Sequence, residues 1–342
     1  MMHVLILGLG GNVSQGILKA VRASSLECRA VGACVTRAAA GLYLCDAACI
    51  SPYASDAAFV PWLIDICERE RIDAVLSGVE EVLDVIAEHR EQLESRLAAR
   101  FIISGGEALR TGGDKLETCR WLRRNNCAYP RFAASEDADA LRLLAEQTGY
   151  RLIAKPRRGK GAQGIFRVRA EEDLHRAALL RDYVVQEEIG TERDEYTVAC
   201  YADKHGSLVD MIVMHRELTN GTTSRATVAF NRDIEREAAA ICSALKPTGP
   251  LNVQLRLNAD ERPVCFELNV RFSGTAPMRA RFGFNDVEAA LREHVLGEDI
   301  SGFFSVRPGT ALRYWEEVYP DAGIEETLST SGAVAVPPAL RG

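Results

Sequence analysis

The sequence predicts a mixed chain, α/β at its start and α+β beyond: a parallel α/β domain, then two lobes, the second built mainly of antiparallel strands. Three observations carry this. Residues 1–108 alternate short apolar runs with amphipathic stretches of helical length, the order that builds a parallel sheet covered by helices. Further on, apolar runs ending at Lys155 and at Glu187 pass into polar links rather than helices. Finally, Leu251-Asn252-Val253-Gln254-Leu255-Arg256-Leu257 and Cys265-Phe266-Glu267-Leu268-Asn269-Val270-Arg271 each alternate polar with apolar residues, and the turn-forming stretch 258–263 between them makes a hairpin.

In chain order, the first strand covers 3–7 and runs through Gly8-Leu9-Gly10-Gly11-Asn12-Val13 into a helix over 14–22. Strands follow at 28–35, 74–77 and 100–103, with helices at 57–69 and 79–89. The glycine turn is similar to a dinucleotide fingerprint but departs from it twice. Val13 stands where the third glycine is needed, and the second strand ends in Val35-Thr36 rather than an acid for the ribose. NAD and NADP are therefore not expected ligands. A turn at a helix N-terminus still suits a substrate carboxylate or phosphate.

From 111 to 184, helices over 115–125 and 137–149 lead to an apolar strand that ends in Lys155. Pro156-Arg157-Arg158-Gly159-Lys160-Gly161-Ala162-Gln163-Gly164 follows, then a second strand at 165–168. Glycines leave backbone amides open to an anion, and the cations add charge. The spacing is not that of a Walker A loop, and a strand follows where that loop needs a helix. A phosphate-binding loop and a flexible basic hairpin both fit. The strand 183–187 passes through Glu188 and Ile189 to a strand that begins near Glu195. Glu187, Glu188 and Ile189 offer the backbone donor and acceptor a purine needs, and Glu195 a carboxylate for ribose hydroxyls.

In the hairpin, Glu267, Asn269 and Arg271 share one strand face, and Gln254 stands opposite them. An anion, two amide oxygens and a cation on one face suit a hard metal ion with bound phosphates. A solvated face is the other reading. His215 and Arg216 close a strand at 209–214, with the polar loop 218–224 after them. Arg216 is placed to reach a phosphate, whereas a strand-end histidine such as His215 is more often structural. Ser273-Gly274-Thr275 follows the hairpin, and Arg279 and Arg281 beyond it are candidates to hold a second anionic group of a substrate. Helices are expected at 232–245 and 286–296. The tail carries a strand at 311–315, and its end is expected to be mobile or laid on the surface.

Composition excludes some classes. At 342 residues, 47% hydrophobic and 26% charged, the chain is an ordinary globular one of two or three domains. A net charge of −7 argues against a general nucleic-acid binder. No apolar run reaches membrane-span length, and the chain opens directly into a strand, without the look of a signal peptide. Cys28, Cys34, Cys45, Cys49, Cys67, Cys119, Cys127, Cys200, Cys242 and Cys265 form no C-x-x-C pair, so free buried thiols in a cytoplasmic protein are expected. Cys45 and Cys49 have the spacing of one helix face.

Taken in order, Ala154-Lys155-Pro156 with its glycine loop, Gln186-Glu187-Glu188, Asp194-Glu195-Tyr196, Asn252-Val253-Gln254 and Glu267-Leu268-Asn269-Val270-Arg271 resemble the ATP-grasp superfamily. The likeness is greatest to the ATP-binding module of the carbamoyl phosphate synthase large subunit and to related carboxylate–amine ligases. Val270 stands where that family often has proline. The resemblance implies a Rossmann-like pre-ATP-grasp domain (1–110), a small lobe (111–184), a large lobe (185–305) and a C-terminal strand and tail (306–342). It implies ATP with Mg²⁺ or Mn²⁺. Lys115 and Lys155 would reach the phosphates under a lid of Gly159, Lys160, Gly161 and Gly164. Gln186, Glu187, Glu188 and Ile189 would form the adenine hinge, and Glu195 would bind ribose. Gln254, Glu267 and Asn269 would hold the metal. Lys155, Arg216 and Arg271 would act in catalysis. The implied partners are a small carboxylate and an amine, with neither nucleic acid nor membrane, and a homodimer is compatible. A carbamate- or carboxylate-phosphorylating enzyme and a nucleotide sensor are the alternatives.

Overall fold

In the computed structural model, which describes residues 1–159 and 163–340, the first alternation becomes a parallel sheet. Its strands are β1 (Met2–Leu7), β2 (Cys28–Cys34), β3 (Ala47–Ile50), β4 (Ala74–Ser77) and β5 (Arg100–Phe101), in the order β3-β2-β1-β4-β5. β1 is central, with Leu5 beside Val31 on one side and Val75 on the other. It is apolar on both faces because helices cover both. Those helices are α1 (Asn12–Arg22), α2 (Phe59–Glu70), α3 (Glu80–Glu88) and α4 (Arg90–Arg96). The sequence reading lacks β3, a four-residue strand after the 3-10 turn Ala40–Leu44, and α4. Cys45 and Cys49 do not share a helix face: Cys45 follows the 3-10 turn and Cys49 lies in β3. The ten cysteines are free thiols, and burial pushes Cys49 up to about 11 and Cys67 to about 12.

The small lobe holds α5 (Gly106–Gly113), α6 (Lys115–Arg124), β6 (Phe132–Ala134), α7 (Ala138–Thr148), β7 (Leu152–Pro156), β8 (Phe166–Val168), α8 (Glu171–Ala178) and β9 (Tyr183–Glu187). Its antiparallel sheet runs β6-β9-β7-β8. Asp114 starts α6 by accepting from the Leu116 and Glu117 amides, and Gly149 ends α7 in the left-handed conformation. β9 belongs wholly to this sheet, so it crosses the lobe boundary expected at 184. The lobe has its own apolar core, whereas the other two cores each mix residues of the N-terminal sheet and the large lobe.

The large lobe is an antiparallel sheet of β10 (Glu195–Ala202), β11 (Leu208–Thr219), β12 (Thr222–Val228), β13 (Gly249–Leu257), β14 (Pro263–Asn269) and β15 (Thr310–Leu312), ordered β14-β13-β10-β11-β12-β15. α9 (Arg232–Leu245) and α11 (Asp286–Leu291) pack on it, α10 (Ala276–Arg281) packs on α1 of the N-terminal domain, and a π-helical turn, Arg292–Leu296, continues α11. The tail is not laid loosely on the surface. α12 (Ala322–Ser331) buries Ile324 and Leu328, and β16 (Ala333–Ala335) pairs antiparallel with β3, Val334 opposite Ala48. No helix among the described residues is long and apolar enough to cross a membrane.

Candidate functional site

A cavity of about 750 Å³ opens where the N-terminal domain, the small lobe, the large lobe and the tail meet. Its floor is the β13–β14 hairpin. Antiparallel pairing sets Gln254 opposite Glu267 and Asn252 opposite Asn269, so the polar parity of both strands faces the cavity together. Asn252 and Arg256 share that parity with Gln254. They were missed as site residues, although the same alternation points to them.

Glu267 lines the cavity, and its carboxylate has no hydrogen-bond or ion-pair partner among the described residues. Lys155, at the end of β7, faces it from the small lobe. It is 7% exposed, and its Nζ stands 4.8 Å above the Phe266 ring. Burial pushes its pKa below the ordinary lysine value, and the charge of Glu267 pulls the other way. Lys115 also lines the cavity, and its Nζ donates to the Gly159 carbonyl at 3.1 Å.

Gly159 and Gly164 have φ of 141° and 71°, a region that favours glycine. Lys160 and Gly161 lie outside the described residues. The loop's other cations are not free for a phosphate. Arg157 Nη2 donates to Asp114 at 2.6 Å, and Arg158 pairs with Asp84 at 3.5 Å. Burial raises the Asp114 pKa, but donation from Arg157 and the backbone outweighs it and holds the carboxyl below its usual value.

The hinge departs from expectation in part, since of the Glu187, Glu188 and Ile189 amides only that of Ile189 makes no backbone bond to the described residues. Gln186 is fully buried behind the cavity wall, where its Nε2 donates to Cys119 Sγ at 2.9 Å. The Glu187 and Glu188 amides donate to the carbonyls of Arg131 and Arg151, so neither is open to a purine. The Glu187 carboxylate turns outward to Arg131, and of the four only Glu188 lines the cavity. Its carboxylate is taken by Arg167 and Arg169. Ile189 accepts from Arg256 at 3.5 Å through its carbonyl.

Glu195 is likewise not a free ribose acceptor. It is 3% exposed, with one oxygen 2.6 Å from Arg216 Nη2 and the other 2.6 Å from Arg256 Nη2. Burial raises its pKa, and the two guanidiniums more than reverse the rise. Arg216 also donates to Gln254 Oε1 at 2.8 Å, so it belongs to this cluster rather than standing open to a phosphate. His215 is structural: its Nε2 lies 2.6 Å from the Arg193 carbonyl and its ring packs on Tyr196.

Arg271 sits at the end of the metal strand, but it is not free. Its Nη2 donates to Glu80 at 2.8 Å and to Asn269 Oδ1 at 2.9 Å, and its Nη1 to the Phe272 carbonyl. Glu80, in the first turn of α3, gave no sequence signal, because the contact joins two separate domains. Arg279 does not reach a substrate. It is 1% exposed, paired with Asp286 and donating to Ser273 and Thr275, and Arg281 lies outside the cavity wall.

The Gln254–Glu267–Asn269 set fits a divalent ion. Each amide already turns its oxygen toward a cation, Arg216 or Arg271, and Glu267 supplies an unpaired anion. The set is not a complete protein cage, since no cluster of three or more His, Cys, Asp or Glu occurs among the described residues. That suits Mg²⁺, which takes one or two carboxylates and completes its shell with phosphates and water. Opposite, the N-terminal domain presents Gly11, Asn12, Val13 and Ser14. The Val13 side chain fills the space beside Gly78, so this turn is not built like the dinucleotide fingerprint.

Comparison with known proteins accords with this layout. Residues 180–318 match the family "ATP-grasp in the biosynthetic pathway with Ter operon", and residues 4–97 match the PylC-like N-terminal domain. The chain is 25% identical to biotin carboxylase of Haemophilus influenzae over 88% of its own length and 68% of that protein's. It is 25% identical to the carbamoyl phosphate synthase large chain of Rubrobacter xylanophilus over 82% of its own length, but spans only 28% of that protein. The structure of carboxyaminoimidazole ribonucleotide synthase from Aspergillus clavatus, complexed with ATP, superposes with a TM-score of 0.70 at 16% identity, covering 91% of this chain and 81% of that one. The chain therefore carries a PylC-like N-terminal domain over residues 4–97 and an ATP-grasp domain over residues 180–318, and the relatives it resembles are ligases.

Proposed function

We propose that the protein is an ATP-dependent carboxylate–amine ligase that forms an amide through an acyl phosphate and releases ADP and phosphate. The observation that supports this most is the unpaired carboxylate of Glu267 between two amide oxygens, facing buried Lys155 across one cavity. Gln254, Glu267 and Asn269 would hold Mg²⁺, which when bound neutralises charge on the phosphates. Lys115 and Lys155, both largely buried, add positive charge to the same end of the cavity. Arg271 stands beside the metal strand with four guanidinium bonds to Glu80, Asn269 and Phe272, so one of its five donors is left to reach a phosphoryl or carboxylate oxygen unless Glu80 lets go.

In the first step a substrate carboxylate oxygen attacks the γ-phosphorus, and the bond to ADP breaks. In the second the amine attacks the acyl carbon, loses a proton, and phosphate leaves. No side chain needs to act as a covalent nucleophile, and the buried thiols are poor ones, Cys119 being raised to about 11 by burial. A screen of acids and amines scored by ADP release and product mass tests the reading. With ¹⁸O in the substrate carboxylate, one label should appear in phosphate for each amide formed. AMP as product, or unlabelled phosphate with amide accumulating, overturns it.

The relatives named for carboxylation favour one second reading, in which bicarbonate is the phosphorylated carboxylate. ADP release that depends on bicarbonate and on no other acid would select it.

A further inference from the structure

Among the described residues, the arginines lining the cavity are Arg167, Arg216, Arg256, Arg271 and Arg313. All but the last are paired: Arg167 with Glu188 and Glu192, Arg216 and Arg256 with Glu195, Arg271 with Glu80. Arg313 has no carboxylate within ion-pair distance among the described residues. Its Nη2 donates to the Gly274 carbonyl at 2.5 Å, which uses one of five guanidinium donors. Burial pushes its pKa down, and no counter-charge offsets the effect.

The placement is specific. The Arg313 amide donates to the Ser224 carbonyl at 2.7 Å, fixing the residue just after the edge strand β15 and beside β12. Gly274 packs against Asn12 of the N-terminal domain, and Asn12 reaches Thr222 Oγ1 at 3.4 Å. Arg313 thus stands where the tail, the turn before β12 and the start of α1 converge. Lys115 and Lys155 belong to the small lobe, whereas this wall is made by the large lobe, the tail and the N-terminal domain. A partly desolvated cation with no acid beside it among the described residues, lining a cavity, is a place kept for an anion.

We infer that Arg313 binds the acceptor substrate, pairing with a carboxylate or phosphate group that is separate from the phosphates of ATP. The inference rests on the ligase reading above. It assigns to the tail the role that the sequence suggested for Arg279 and Arg281, and it makes the acceptor an anionic small molecule.

The test uses the full chain saturated with magnesium and β,γ-methylene-ATP, so that the nucleotide phosphates are already bound. Succinate and inorganic phosphate are then titrated separately by calorimetry. One of them should bind at millimolar concentration, and the preferred arm tells carboxylate from phosphate. Arg313→Gln should weaken that binding at least about tenfold, as expected when one partner of a charge-assisted pair is removed. Affinity for the nucleotide analogue and the unfolding midpoint should stay unchanged, and Arg313→Lys should recover part of the loss. Binding of neither anion, or equal binding by wild type and Arg313→Gln, overturns the inference. If the analogue itself does not bind, the ligase reading fails instead, and the same titrations on nucleotide-free protein decide the role of Arg313.

Discussion

The loop Ser273-Gly274-Thr275 is held by arginines from two sides, and the two are of opposite kinds. Arg279 lies beneath it, fully buried, donating to the Ser273 and Thr275 hydroxyls and paired with Asp286. Arg313 lies on the cavity side, donating to the Gly274 carbonyl with no acid beside it. The same contrast divides the carboxylates: Glu195 carries two arginines, and Glu267 carries none among the described residues. A buried charge with its partner present belongs to the architecture. An unpaired charge left facing a cavity belongs to a ligand, because nothing else offsets its desolvation.

The contrast breaks most sharply at Arg279. Arg279→Met leaves Asp286 buried without a partner and should cost about 3–5 kcal/mol, read as a lower denaturant midpoint. The double variant with Asp286→Leu should recover much of that loss. A loss of ligand binding with unchanged stability would reverse the assignment.

Next in size is Glu267→Gln. It removes an unpaired anion, so the unfolding midpoint should hold while ATP turnover falls by more than about a hundredfold. Unchanged turnover would remove the metal assignment.

Glu80→Gln sharpens the comparison at a paired site. Glu80 stands outside the cavity wall and is paired with Arg271. Loosening that guanidinium should lower kcat by about tenfold with little change in KM for ATP, a split that simple destabilisation does not produce. A rise in KM for ATP with kcat unchanged would argue against a positioning role.

The smallest effect is pH dependence. The folded pKa of Glu195 lies below its ordinary value, so its contribution to stability is present above the usual carboxylate range and is lost as pH falls through it. Asp114 adds a slope of the same sign. Stability of wild type relative to Glu195→Gln should therefore shrink steadily on acidification below that range. A difference that is flat between neutral and acidic pH would show that the Arg216–Glu195–Arg256 cluster does not carry linkage.

Legibility followed the range of the interactions. The period-two alternation of 251–257 and 265–271 placed Gln254, Glu267 and Asn269 on one surface, because side-chain parity in a strand is local geometry and a hairpin register follows from the turn. Helix α9 could be read from its apolar spacing and occupies the expected residues, 232–245. Short elements were harder: β3 has four residues and too little pattern to separate from a loop. The hinge could be read only in part, because the Glu187 and Glu188 amides are taken by the Arg131 and Arg151 carbonyls of neighbouring segments, which leaves the Ile189 amide as the backbone donor of the three.

What the sequence by itself determined was the order of elements and the residue types available on each face, since both depend on neighbours a few positions away. The tertiary structure alone decided which charges were paired. Glu80 meets Arg271, Glu195 meets Arg216 and Arg256, and Arg313 meets no acid among the described residues, because each contact joins segments far apart in the chain and only packing sets the distance. The docking of the tail is of the same kind. β16 is three residues long and would not hold alone, but β3 offers it a free edge and the N-terminal core buries α12 beside it.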